Sequence, residues 1–338
     1  MIRYPNLQAG AAIGITAPSS GVQPELHGLV KQACARLEAK GYRLVVGETV
    51  WTQHKAKSAP ADVRAAELNA MLQDERLSLI FPPWGGELLI EVVDRIDYEA
   101  IKPKWILGYS DTSALLLAVT LMTGLATAHG ANLIDVRGEV ADETTGMWET
   151  VLGTRAGESV RQPSSPMYQQ AWDHDNPTPC VFHLTEPTRW KTVGGGSVHM
   201  SGRLLGGCVD IIRHLVGTPY GDVKRFREER MNEEPVIWYL ENCELSMADM
   251  RRSLVQMKLA GWFDHCGGLL FGRSEANRPT EGYMAEDLYR ELAEELGVPV
   301  LYDVDCGHVP PQLTFVNGAR AEIEAHEGKA VVTQFFEA

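Results

Sequence analysis

Over its first 130 positions the chain alternates short, continuously apolar runs with longer stretches whose apolar residues recur at helical spacing. Residues 11–17 predict a buried strand that stops at Pro18-Ser19-Ser20-Gly21. Residues 25–40 predict a helix closed by Gly41, which can take the left-handed conformation of a helix end without strain. Residues 43–46 give a second strand, Pro60 opens a helix through Leu72, and residues 77–81 give a third strand. A helix over 88–96, a strand ending at Gly108, a helix over 113–122 and a strand over 126–129 continue the series. Repeated βα units of this kind predict a mostly parallel sheet covered on both faces, an α/β fold whose sites form beyond the carboxyl ends of the strands. Ser110 and the loop Pro82-Pro83-Trp84-Gly85-Gly86-Glu87 both fall at such ends.

The alternation then breaks up. Between 136 and 191 one modest helix (142–152) is followed by a polar, proline-bearing run that carries Tyr168, Trp172, Phe182 and Trp190. A loop of this kind serves either as a binding lid or as a linker whose aromatics pack on the next domain. Gly194-Gly195-Gly196 marks a boundary, and beyond it short strands mix with helices. Residues 202–207 lead into a helix through Leu215, residues 235–241 form a buried strand, and Ser246-Met247-Ala248-Asp249 is similar to a capping box opening a helix that ends at Gly261. A strand over 267–272, a charged helix over 285–296 and a strand over 300–303 follow. A hairpin of 319–325 and 329–335, turning at Glu327-Gly328, closes the chain. The expected division is residues 1–165 as an α/β domain, 166–193 as a linker or substrate loop, and 194–338 as a smaller α+β or barrel-like domain.

Composition narrows the function classes. With 338 residues, 44% hydrophobic and 22% charged, the chain has material for two well-packed domains. A net charge of −14 argues against nucleic acid or an anionic membrane as partner. No basic segment followed by an apolar stretch opens the chain, and no uninterrupted apolar run has the length of a membrane span, so a cytoplasmic protein is expected. The six cysteines are scattered without a C-x-x-C pair, as suits reduced structural thiols. The ten histidines include no H-E-x-x-H, so no metal and no cofactor are expected.

Three places carry candidate chemistry. In residues 104–117 an apolar run ends at Gly108, a polar corner follows at Tyr109-Ser110-Asp111, and a second apolar run begins. A strand turning sharply into a helix can lift a serine hydroxyl above a sheet and leave backbone N–H groups free around it. Thr112 stands where the usual G-x-S-x-G pattern has its second glycine, and Ser110 or Asp111 also fits a plain helix cap. Glu241 ends an otherwise apolar strand, with Glu244 as its rival, and His308 lies in the loop Cys306-Gly307-His308-Val309-Pro310-Pro311. Serine, acid and histidine in this order match some hydrolases, although a triad is defined by geometry and not by order. Cys306 offers a second candidate nucleophile.

Taken in order, these pieces carry a family likeness: Ala17-Pro18-Ser19-Ser20, Arg64, Gly85-Gly86, Gly108-Tyr109-Ser110-Asp111, His129-Gly130, Gly202-Arg203-Leu204-Leu205-Gly206-Gly207, Gly217-Thr218-Pro219-Tyr220, Leu240-Glu241 and Cys306-Gly307-His308. The chain resembles the serine peptidase family that contains the cytoplasmic LD-carboxypeptidases of murein recycling and the microcin C self-immunity peptidases. The resemblance implies Ser110 as nucleophile, His308 as general base and then acid, and Glu241 as the residue orienting the histidine. It implies an oxyanion hole from the backbone N–H groups of Gly86 and Asp111, a flavodoxin-like N-terminal domain, a site between the two domains, and a homodimer. Thr188-Arg189-Trp190-Lys191 is similar to the aromatic region of the microcin-immunity branch, which makes Trp190 or Trp172 a candidate for stacking on the base of a peptide-nucleotide substrate. The alternative substrate is a muropeptide tetrapeptide, and the alternative of another class is a non-catalytic binding protein using the same cleft. Trp84 beside Gly85-Gly86 departs from the small or polar neighbours of many relatives.

Overall fold

The computed structural model describes residues 1–170, 177–231 and 234–338. Its first half is a parallel sheet of β1 (Ala12–Ile15), β2 (Arg43–Val46), β3 (Leu77–Ile80), β4 (Trp105–Gly108) and β5 (Thr127–His129), in the spatial order β2-β1-β3-β4-β5. That is the flavodoxin-like order of a doubly wound sheet, whose switch point lies between β1 and β3. The connecting helices are α1 (His27–Ala39), α2 (Ala61–Gln73), the single turn α3 (Ile90–Val93) and α4 (Thr112–Thr123). Strands β1 and β4 are buried along their whole length, as expected of parallel strands covered on both faces. Helix α4 is buried from Thr112 through Leu121 because it packs on β4 and β5 and also on the second sheet. Its sequence is accordingly apolar all round.

After α5 (Trp148–Gly153) the chain enters a second, mixed sheet through β6 (Ser159–Pro163). A two-stranded ribbon of β7 (Met167–Tyr168) and β8 (Glu186–Pro187) precedes β9 (Lys191–Thr192) and the long β10 (Val198–Cys208). Then come α6 (Val209–Ile212), α7 (Val223–Arg230), β11 (Val236–Glu241), α8 (Met247–Leu259), β12 (Cys266–Gly272), α9 (Ala285–Leu296) and β13 (Val300–Val304). Strand β14 (Phe315–Asn317) and the hairpin of β15 (Arg320–His326) and β16 (Lys329–Phe335) end the chain. The second sheet runs β6-β16-β15-β10-β11-β12-β13-β9, with β10 to β13 parallel and the rest antiparallel.

Two strands cross the expected division. β6 lies before residue 165 yet pairs with β16, and β14 lies far beyond residue 194 yet pairs antiparallel with β5 of the first sheet. One hydrophobic core runs through both halves, from Ile13 and Leu107 to Trp238 and Leu269. The expectation at residues 202–207 missed β10, an eleven-residue strand, because its glycines hide its strand pattern. At Gly206 a side chain would meet the Tyr239 carbonyl oxygen at 1.8 Å, so only glycine lets β10 and β11 come this close. Helix α7 and the short β14 were also missed. The cap expected at Ser246 forms, with its side chain accepting from the Asp249 N–H. Among the described residues, no helix is long and apolar enough to cross a membrane.

Candidate active site

The carboxyl ends of both sheets meet at one place. Ser110 follows β4, Gly85-Gly86 follow β3, Ser19-Ser20 follow β1, Glu241 ends β11, and His308 follows β13. Ser110 sits at φ 64°, a left-handed conformation that a residue with a side chain adopts only at a cost. The corner is enforced from both sides. The Ser113 N–H donates to the Ser110 carbonyl at 2.8 Å as α4 begins, and the Ser113 hydroxyl accepts from the Cys208 N–H at 3.0 Å, tying the helix start to the end of β10.

His308 bridges the two sheets. Its Nε2 lies 3.0 Å from Ser110 Oγ, and its Nδ1 lies 2.7 Å from Glu241 Oε2. Glu244, the rival acid, is exposed and its backbone N–H donates to Asp210, so Glu241 is the carboxylate that meets the histidine. The Glu241 side chain is wholly buried. Burial alone would raise its pKa, but His308 and His129 beside it hold it below the usual carboxylate range. His308 is shifted the other way: burial alone would lower it, but the Glu241 charge together with side-chain hydrogen bonds to Cys243 and Glu241 raises it well above the ordinary histidine value.

The glycine loop closes over the serine. A side chain at Gly85 would meet Ser110 Oγ at 2.7 Å, and one at Gly86, whose φ is 138°, would meet Ser20 Oγ at 2.3 Å. Among the described residues the Gly86 and Asp111 N–H groups have no hydrogen-bond acceptor, which leaves two donors beside the serine. The Asp111 carboxylate, buried between the loops, accepts from the Leu89 N–H at 2.8 Å and from the Ser19 hydroxyl. Burial raises its pKa against these bonds. Arg64 braces the same loops, donating to the carbonyls of Pro18 and Leu88 at 2.8 Å each and pairing with Glu91. Trp84, the departure noted in the sequence, donates from Nε1 to the carbonyls of Ser20 and Gly21 at 3.1 Å each, so its indole clips the two loops together.

Two cavities open on Ser110 and Gly86. One, of about 740 Å³, is walled by Leu26, Leu29, Trp84, Ile134, Gln53 and His308 among others. The second, of about 750 Å³, carries Glu87, Asp210, Glu244, Arg213 and His214. Burial raises the Glu87 pKa, and the nearby charges of Glu244, Asp111 and Asp210 add to it. A bond lying over Ser110 would therefore place one part of a substrate against a wall of apolar and amide groups that also carries Asp135 and Arg137, and the other against carboxylates set beside Arg213 and His214.

The other candidates lie elsewhere. Trp190 is 3% exposed, packs in a core cluster of the second sheet, and donates from Nε1 to Asp305 at 3.0 Å. It lines neither cavity. Trp172 lies outside the described residues. Cys306 is buried, its thiol pushed well above its usual pKa by burial, and its sulfur faces His129 and not the clefts. As for a metal, the ligand atoms of Cys208, Glu241 and His308 lie within 4.8 Å of one another, but Glu241 and His308 are already hydrogen-bonded to each other. Sequence reasoning missed the Asp111 side chain as a brace and the wall of the second cavity, since both depend on loops brought together from distant strands.

The comparisons with known proteins agree with this architecture. Residues 13–130 match the LD-carboxypeptidase N-terminal domain and residues 201–323 the LD-carboxypeptidase C-terminal domain. A Vibrio cholerae protein bearing a carboxypeptidase name is 29% identical over 94% of this chain and 93% of its own length. The microcin C7 self-immunity protein MccF of Escherichia coli is 25% identical over 97% of this chain and 94% of its own. A solved structure of MccF superposes with a TM-score of 0.83 at 24% identity, covering 100% of this chain and 99% of that one. Muramoyltetrapeptide carboxypeptidase from Oxalobacter formigenes gives a TM-score of 0.73 at 18% identity, covering 97% and 99%. With both of the family's domains matched in order, and the fold shared along the whole chain, this protein belongs to the LD-carboxypeptidase family of serine hydrolases.

Proposed function

We propose that Ser110, His308 and Glu241 act as a catalytic triad that hydrolyses the amide bond of a small aminoacyl or peptidyl conjugate. The observation that carries this reading is the continuous chain of contacts from Ser110 Oγ through both nitrogens of His308 to Glu241 Oε2. A serine hydroxyl is a poor nucleophile until a base takes its proton, and the neutral Nε2 of His308 is within reach to do so. Glu241 holds the Nδ1–H tautomer and stabilises the imidazolium that forms. The developing oxyanion would be received by the N–H groups of Gly86 and Asp111, where losing one donor typically costs about 10²–10³ in rate. His308 then returns the proton to the leaving nitrogen, and water attacks the acyl-serine by the same route in reverse.

For the substrate, the leading reading is a peptide-nucleotide conjugate. MccF, similar to this chain along nearly its whole length, has been solved in complex with aspartyl sulfamoyl adenosine, and a mutant of it with adenosine monophosphate. The apolar and amide-lined cavity beside Trp84 suits a purine and its ribose. The buried position of Trp190 makes it a packing residue in this reading. The second reading is the murein tetrapeptide, whose ammonium groups would meet Glu87, Asp210 and Glu244 of the second cavity while Arg213 and His214 there would meet its terminal carboxylate. We further propose a cytoplasmic homodimer, for which light scattering should give twice the chain mass.

The deciding experiment incubates wild type and Ser110→Ala with an aspartyl adenylate amide and with a muropeptide tetrapeptide, following products by mass spectrometry. Serine-dependent cleavage of the adenylate alone supports the first reading, and of the tetrapeptide alone the second. Binding of either without serine-dependent cleavage would replace the enzyme reading with a receptor.

A further inference from the structure

The triad acid has a second histidine against it. His129, the last residue of β5, is wholly buried, and its Nε2 lies 3.9 Å from Glu241 Oε1, the oxygen that His308 does not use. At that separation the two atoms face each other without a formed hydrogen bond, and neither His129 Nε2 nor Glu241 Oε1 has a hydrogen-bond partner among the described residues. Two orphaned polar atoms facing each other in a dry interior are costly unless they serve one another. On its other side the His129 ring meets Cys306, with Sγ 3.8 Å from Nδ1. Burial keeps that thiol protonated, so the S–H can donate to Nδ1 and leave the ring proton on Nε2, pointing at Glu241. The rings of Tyr109 and Tyr239 flank the imidazole at centroid distances of 6.3 and 5.4 Å, and pairing of β14 with β5 at His129 fixes the backbone.

We infer that His129 is a positioning residue for the reaction: its Nε2–H holds the second oxygen of Glu241, so that the carboxylate keeps its charge and its aim on His308. The arrangement is a relay, Cys306 to His129 to Glu241 to His308 to Ser110, in which His129 touches no substrate. It accounts for Cys306 and His129 together, two buried side chains with polar groups that the triad itself does not use. In a low-dielectric site a carboxylate with one donor removed pulls harder on the proton of its remaining partner. Removing the His129 N–H should therefore raise the His308 pKa further and leave less of the base free at a given pH.

This inference rests on the triad reading for its catalytic consequence, and the test separates the two. His129→Phe keeps the ring volume without a donor, and His129→Gln restores an N–H at a similar reach. The first measurement is an NMR titration of the His308 imidazole in the full-length protein, wild type and both variants, with circular dichroism confirming the fold. The second is the pH profile of kcat/KM on whichever substrate the wild type cleaves. The expected result is an upward shift of the His308 titration in His129→Phe, a kcat lower by roughly 10–100-fold with KM little changed, and recovery of both in His129→Gln. An identical His308 titration in wild type and His129→Phe overturns the inference whatever the activity does. So does equal loss in both variants with an unmoved pH profile, which would make His129 a packing residue only. If Ser110→Ala were as active as wild type, the triad reading would fall while the titration still decided the link between His129 and Glu241.

Discussion

Ser110 holds a backbone conformation that its own side chain disfavours, and the surrounding loops keep it there. The penalty is on the order of 1–2 kcal/mol for a residue with a Cβ and vanishes for glycine. Ser110→Gly should therefore melt higher than Ser110→Ala by calorimetry, with both inactive. Equal melting points would mean that the corner is not strained. The titration of His308 gives a second expectation at this scale. As a base it works only when neutral, and against burial the Glu241 charge and its hydrogen bonds to Cys243 and Glu241 have raised its pKa well above the ordinary value. Hydrolysis should fall as pH drops through that raised pKa, so the acid limb of kcat/KM should lie above the ordinary histidine value of about 6.5. In Glu241→Gln the limb should move down and kcat should fall by about 10⁴. A limb that stays put in this variant would remove Glu241 from the relay. At this scale the sequence showed which residue types were present and where they fell on strand ends. It left Glu241 and Glu244 open, since three positions of separation say nothing of which carboxylate reaches a loop 67 residues away.

Single elements aim these residues. The loop that bears His308 begins at Asp305, a wholly buried carboxylate that accepts from the Ser165 N–H at 2.8 Å and from Trp190 Nε1 at 3.0 Å, and pairs with Arg273. Burial raises the Asp305 pKa against these partners. Trp190→Phe keeps most of the packing but strips one donor from the buried carboxylate, at a cost of about 1–3 kcal/mol. The expected outcome is a thermal midpoint lower by several degrees, with KM for a nucleotide conjugate unchanged. A selective rise in KM without loss of stability would restore Trp190 to the substrate. Helices α4 and α9 and strands β3, β4 and β11 were legible from periodicity, because each is long or uniformly apolar enough for its own sequence to decide it. Strand β10 was not, because close packing against β11 demanded glycines that erase a strand's signature. The helix expected over 88–96 shrinks to the single turn α3, with the Leu89 N–H just before it held by the Asp111 side chain from the corner between β4 and α4.

Across the whole molecule the two sheets are interlocked. Strand β14 completes the first sheet from the far end of the chain, and β6 completes the second from the near side. Because the core is continuous through both halves, residues 1–165 expressed alone would leave β5 unpaired at its edge and expose the face of α4 that packs on β10. Such a fragment should show hydrophobic dye binding and no cooperative melt. Mixing it with residues 166–338 should recover hydrolysis only if the two fragments reassemble. A cooperative melt of the fragment alone would show that the first sheet does not need β14. By itself the sequence determined the alternation of strands and helices, the acidic and metal-motif-free character of the chain, and the strand-end positions of Ser110, Glu241 and His308. Those depend on residues near one another in the chain, whose periodicity and turn chemistry act locally. Only the tertiary structure decided which carboxylate meets His308, that Trp190 is buried, that a second histidine stands behind Glu241, and that each sheet borrows a strand from across the chain. These are contacts between positions up to 198 residues apart, and packing of the complete chain is what brings them together.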